Sequence, residues 1–94
     1  MDYSNFSHRE KRNEFLKISA FFNNTCVRCE GKSGLANVER DHIIPSYQGG
    51  IDDPTNYQPL CARCNSSKGP ERIDYRIIYA KKHGLILPSE WIPK

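Results

Sequence analysis

The chain has 94 residues, 37% of them hydrophobic and 27% charged, with four cysteines, one Trp and one Met. That length suits one domain with a small core, a size at which a metal, disulfides or a partner commonly adds stability. No apolar run approaches the roughly 18–20 residues of a membrane span, and no apolar signal core follows Met1-Asp2-Tyr3-Ser4. The reading is therefore an intracellular, cytoplasmic protein with no membrane association. The net charge of +3 is unevenly placed: seven Lys/Arg face eight Asp/Glu in residues 1–60, and seven face three in residues 61–94. A basic C-terminal third is compatible with a phosphate-backbone partner, and equally with a solvated basic face.

Along the chain, Ser7 and Glu10 form a capping box, each side chain answering a backbone N–H that the first helical turn leaves free. A helix is predicted over about 7–22, where Phe15, Ile18 and Phe22 share one apolar face and Ser19 interrupts it. Asn23-Asn24-Thr25 ends it. Cys26-Val27-Arg28-Cys29 is a first Cys-x-x-Cys turn, followed by a loop over Gly31–Gly34. A strand is predicted over Leu35–Ile44, where Ala36, Val38 and Arg40 alternate with Asn37, Glu39 and Asp41 before Pro45 stops it. Residues 46–54 are a loop by composition. Tyr57–Leu60 is extended, because Gln58 precedes Pro59 and is biased away from helix.

Cys61-Ala62-Arg63-Cys64 is the second turn, leading into a short helix stopped by Gly69-Pro70. A last helix is predicted over about Ile73–His83, with Gly84 as its left-handed cap. Leu85-Ile86-Leu87 and Trp91-Ile92 are apolar enough to fold back on the domain. Tyr75, Tyr79 and Trp91 read first as core and second as base-stacking platforms.

The two Cys-x-x-Cys turns place two thiolates each, and together they complete a tetrahedral zinc site. The 31 residues between Cys29 and Cys61 must then be a substructure. The alternatives are two disulfides or one redox pair. Neither explains why both pairs flank Asp41-His42. A site closed by Cys26, Cys29, Cys61 and Cys64 has no open position, so its zinc is structural.

Asp41-His42 alone says little; its company says more. Phosphodiester hydrolysis needs a base for water and a cation for the charge on phosphate. A neutral imidazole suits the first, and hard oxygen ligands from a carboxylate and an amide suit Mg²⁺ or Mn²⁺. His42, Asp41 and Asn65 supply one of each kind. Neighbours on a regular strand point to opposite faces. Asp41 and His42 can therefore serve one site only where the strand bends, bulges or ends. An irregularity is predicted at Arg40–Ile43, and a regular strand with Asp41 facing away would remove Asp41 as a ligand.

Val38-Glu39-Arg40-Asp41-His42-Ile43-Ile44-Pro45, Gly49-Gly50, Asn56-Tyr57-Gln58-Pro59-Leu60-Cys61 and Cys64-Asn65-Ser66-Ser67-Lys68-Gly69 resemble the HNH endonucleases. The resemblance covers about residues 26–69. It implies an α+β fold: a ββα-metal (His-Me finger) core with a four-cysteine zinc site and flanking helices, in a single domain spanning 1–94. It implies that His42 is the general base and that Asn56 holds the loop against the strands. Asn65 takes the last motif position, usually His, and binds the catalytic cation with Asp41. The missing imidazole favours Mg²⁺ or Mn²⁺.

The substrate implied is DNA, cut to leave 5′-phosphate and 3′-hydroxyl ends. Lys68, Arg63, Arg72 and Arg76 are the candidate phosphate-backbone contacts. The chain could act alone or within a phage-packaging, restriction or homing system; oligomeric state and target are open. The rival reading is a non-catalytic zinc module that binds nucleic acid or protein.

Overall fold

The capping box forms: the Glu10 N–H donates to Ser7 Oγ, and the Ser7 N–H donates to Glu10 Oε1, each over 3.1 Å. It opens α1 (His8–Phe21) in the computed structural model, which describes residues 5–92. The expectations that touch Met1–Ser4 and the last two residues of the 73–94 tail lie outside the described residues. Asn23 and Asn24 both take positive φ after the helix, a conformation that asparagine tolerates and that turns the chain toward the first cysteine.

Phe15, Ile18 and Phe22 are buried along one side of α1, with Ser19 among them. They meet the rest of the core edge to face: Phe15 against Tyr57 and Phe22 against Tyr79, with Phe21 against Trp91 beside them. Each such side chain contributes about 1.5–3 kcal/mol through burial. Trp91 and Tyr79 are thus core residues, and the tail does fold back through Trp91 and Leu87.

β1 (Glu39–His42) and β2 (Tyr57–Leu60) pair antiparallel, with Glu39 opposite Leu60, Asp41 opposite Gln58 and His42 opposite Tyr57. The strand expected over Leu35–Ile44 is shortened to four residues. Its partner is equally short, so nothing extends the ladder beyond Glu39 or His42. Past His42 the Ile43 N–H turns to the Asn56 carbonyl and the chain bends.

α2 (Ala62–Lys68) starts at Cys61 and packs on both strands. α3 (Tyr75–His83) begins two residues later than expected, because Asp74 caps it by accepting the Arg76 N–H. Gly84 ends it in the left-handed region at φ 68°.

Arg76 corrects an expectation. It is 1% exposed and makes no surface for phosphate. Its guanidinium donates to Asp74 and to the carbonyls of Pro54, Thr55 and Trp91. It ties the turn before β2, the start of α3 and the C-terminal turn together. Nor does it share a helix face with Arg72, since α3 starts after Arg72. Among the described residues, no helix is long and apolar enough to cross a membrane.

Candidate functional site

The four cysteine sulfurs gather in one cluster, all within 4.8 Å of one another. Sulfurs about 2.3 Å from a tetrahedral zinc stand about 3.8 Å apart, and Cys29 Sγ and Cys61 Sγ are separated by 3.8 Å. The cysteines are free of disulfides. The Cys29 and Cys64 N–H groups each point at the first sulfur of their own turn, 3.5 Å away. The Val27 N–H donates to the Pro59 carbonyl, fixing the first turn to β2. Ser33 Oγ lies 3.3 Å from both Cys29 Sγ and Cys61 Sγ.

The sulfurs do not titrate alike. Burial disfavours the Cys29 thiolate, but hydrogen bonds from Ser33, Gly31 and Cys26 outweigh it and bring the thiol down to about 6. Cys61 is lowered by the same opposition between burial and its Ser33 bond. Cys64 is pushed up to about 12 by burial and then by the neighbouring sulfurs. A cation bound among the four sulfurs would favour the thiolate at each of them.

The two-stranded sheet presents two faces. Cross-strand partners share a face. Asp41 and Gln58 form one such pair, and the Gln58 amide donates to Asp41 Oδ2 over 2.9 Å. Lys68, from the last turn of α2, brings its ammonium 3.4 Å from the same oxygen and 3.4 Å from the His42 carbonyl. Asn65, one turn earlier, donates to Glu39 Oε1 over 3.0 Å. Asp41 and Asn65 therefore face each other across the β1–α2 contact.

His42 shares the opposite face with Tyr57, ring against ring at 5.5 Å, while the Arg40 guanidinium covers the Tyr57 ring at 4.9 Å. The ladder is regular through Arg40, Asp41 and His42, so the irregularity expected at Arg40–Ile43 is absent from the paired residues: the chain bends only at Ile43, and Asp41 and His42 stand on opposite faces. Both nonetheless border one open cleft of about 500 Å³, lined by Asp41, His42, Tyr47, Asn65, Lys68 and Pro70 among others.

The loop after β1 is locked into place. Asn56, 5% exposed, accepts the Ile44 N–H at 2.8 Å and donates to the Ile44 and Ile51 carbonyls at 2.9 Å each. Gly50 is required sterically: a Cβ there would stand 1.7 Å from the Ile44 carbonyl oxygen. The turn delivers Asp52, whose Oδ1 lies 2.9 Å from His42 Nε2 and accepts the Tyr57 hydroxyl at 2.8 Å. Lys11 of α1 reaches Asp52 Oδ2 at 3.3 Å. Burial alone would raise the Asp52 carboxyl, but the bonds from His42, Tyr57 and Lys11 win and hold it well below the usual carboxylate range. Tyr57 is pushed well above the usual phenol range by burial and by the Asp52 carboxylate.

Residues 26–71 match the family model described as HNH endonuclease. This segment is an HNH domain. No curated protein and no solved structure matches the chain at a significant level. α1 and α3 lie outside the matched segment of the HNH domain, and the thiol cluster and the cleft lie inside it.

The structure brings Asp41, His42 and Asn65 to one cleft and Asn56 to the loop beneath it. Lys68 is corrected: its side chain is 1% exposed and turned onto Asp41, because the carboxylate offers the buried ammonium a partner. Arg63 and Arg72 are exposed, and Arg72 reaches the Gln48 side chain and carbonyl, tying the 46–48 turn to the segment after α2. Asp52, Gln58 and Glu39 are the site neighbours that the sequence reading passed over. Only the acidic pair Asp52-Asp53 after Gly49-Gly50 hinted at a role for the first of them.

Proposed function

We propose that the HNH domain is a metal-dependent endonuclease that hydrolyses DNA phosphodiester bonds, with residues 1–94 acting as one unit. One observation carries this reading: an imidazole, a carboxylate and a carboxamide border a single cleft, in a segment that also gathers four thiols. A module that only binds nucleic acid has no use for that combination.

His42 is the general base and takes a proton from the attacking water. Asp41 and Asn65 would hold a Mg²⁺ or Mn²⁺ ion, which supplies positive charge for the phosphate oxygens. The donor set fits a hard cation: side-chain oxygens on facing elements, with room in the cleft for waters and phosphate to complete the coordination. Two protein donors make a weak site by themselves, so cation binding is strengthened by the substrate phosphate. Lys68 balances the Asp41 carboxylate before the ion arrives. Cys26, Cys29, Cys61 and Cys64 would hold a structural zinc that sets α2, and with it Asn65, against β1. Arg63 and Arg72 are exposed and would be the phosphate-backbone contacts.

The test is cleavage of supercoiled plasmid by zinc-loaded protein with Mg²⁺ or Mn²⁺, beside Asp41→Ala and Asn65→Ala. Nicking that depends on the added cation, with a raised cation requirement in both variants, supports the reading. Folded, zinc-loaded protein that nicks with neither cation supports a binding module instead.

A further inference from the structure

We propose that Asp52 is a positioning residue for His42, and that α1 completes the arrangement through Lys11 although it lies outside the HNH segment. The proposal rests on the reading of His42 as the base. A carboxylate only accepts hydrogen bonds, so in the neutral ring the nitrogen 2.9 Å from Asp52 Oδ1 carries the proton. Nε2 is then the donor, and Nδ1 keeps the lone pair that a base needs. Asp52 thus selects one tautomer as well as one ring orientation, and the Tyr57 ring standing at 86° to the imidazole removes the remaining freedom.

Asp52 is itself held from three sides. The Tyr57 hydroxyl donates to the oxygen that meets His42, and Lys11 engages the other oxygen. The Lys11 side chain is 16% exposed and the Asp52 side chain 41%, so the pair is sheltered on the lysine side and open to water on the carboxylate side. The backbone that carries Asp52 is fixed one residue earlier, where the Ile51 carbonyl accepts from Asn56. The family-matched loop, the second strand and the additional helix therefore converge on one carboxylate, and that carboxylate touches the base. When Nδ1 takes the proton from water, the ring becomes an imidazolium with Nε2–H still directed at Asp52, so the geometry does not reorganise during the step.

The tautomer is read directly by ¹⁵N NMR of the His42 ring in the zinc-loaded protein, at a pH where the imidazole is neutral. The expected result is a dominant Nε2–H form in the wild type and a mixture in Asp52→Ala. A dominant Nδ1–H form in the wild type overturns the proposal, and this measurement stands whether or not the protein cleaves DNA. In cleavage assays Asp52→Ala is expected to lower kcat about ten- to hundredfold, with KM for DNA within about twofold, as for other residues that orient an active group. Asp52→Glu restores part of the loss. Asp52→Asn, which keeps the size but lets an amide donate to Nε2, does not. Wild-type kcat in folded Asp52→Ala, alongside an inactive His42→Ala, overturns the proposal while leaving the base assignment intact. Lys11→Met is expected to lower kcat a few-fold at unchanged KM. A change in KM alone makes Lys11 a substrate contact and removes α1 from the arrangement.

Discussion

Replacing Asn56 by alanine tests how the cleft is held. The amide makes three hydrogen bonds of 2.8–2.9 Å, two to Ile44 and one to Ile51, from a nearly buried position. Each bond contributes about 1 kcal/mol net, and the sheltered Ile44 N–H, left without its acceptor, adds about 1–2 kcal/mol. The expected loss is about 4–5 kcal/mol. In a domain of this size that lowers Tm by about 16–40 °C. Urea denaturation of zinc-loaded protein measures it, with fluorescence and circular dichroism followed together to check two-state behaviour. Asn56→Asp is expected to do no better, because it keeps an acceptor for Ile44 N–H but sets a negative charge against two carbonyl oxygens. A loss below about 1 kcal/mol in Asn56→Ala would show that the loop is held by something else, and would refute the reasoning.

Gly50→Ala forces the Ile44 carbonyl to move, because the clash is with backbone and no flexible side chain can yield. It is expected to cost about 2–3 kcal/mol and to reduce cleavage more than DNA binding; an unchanged melting curve contradicts the close approach. Arg76→Met leaves three carbonyls without their donor and Asp74 with the Arg76 backbone N–H but no guanidinium. It is expected to destabilise by about 3–5 kcal/mol, as breaking buried charge pairs does, while DNA affinity per folded molecule stays unchanged; lost affinity in a stably folded variant would return Arg76 to the interface. Chelating the zinc is expected to unfold the chain, since such sites supply folding free energy on the order of 10 kcal/mol. Circular dichroism after incubation with a strong chelator checks it, and native helix content without metal contradicts a structural role.

Much of this was legible in the sequence because its signals are local. The capping box and the Phe15, Ile18 and Phe22 stripe depend on residues within one helix, and α1 appears where they place it. The paired Cys-x-x-Cys turns announce their cluster because sulfur spacing within each turn is fixed by four residues. What was hidden is set by pairing between distant segments. β1 is shorter than its alternation suggests because its partner has only four residues to offer. Arg76 and Lys68 look like surface cations in a basic stretch, but Asp74 with a ring of carbonyls claims the first and Asp41 claims the second. No spacing rule encodes that choice, since the partners lie up to 27 residues away, as for Lys68 and Asp41. Asp52 lies in a stretch whose composition encodes only a loop, and it is loop; its contact with His42 follows from the Gly50 close approach and the Asn56 lock, which only the folded chain reveals.

His42 is proposed to activate water in the cleft that Asp41 and Asn65 also line. Nicking of supercoiled plasmid under single-turnover conditions, comparing zinc-loaded wild type with zinc-loaded His42→Ala of matched circular dichroism, tests it most directly. Cation-dependent nicking by the wild type is expected, with a loss of about 10²–10⁴-fold in the variant. Nicking by His42→Ala at the wild-type rate would contradict it.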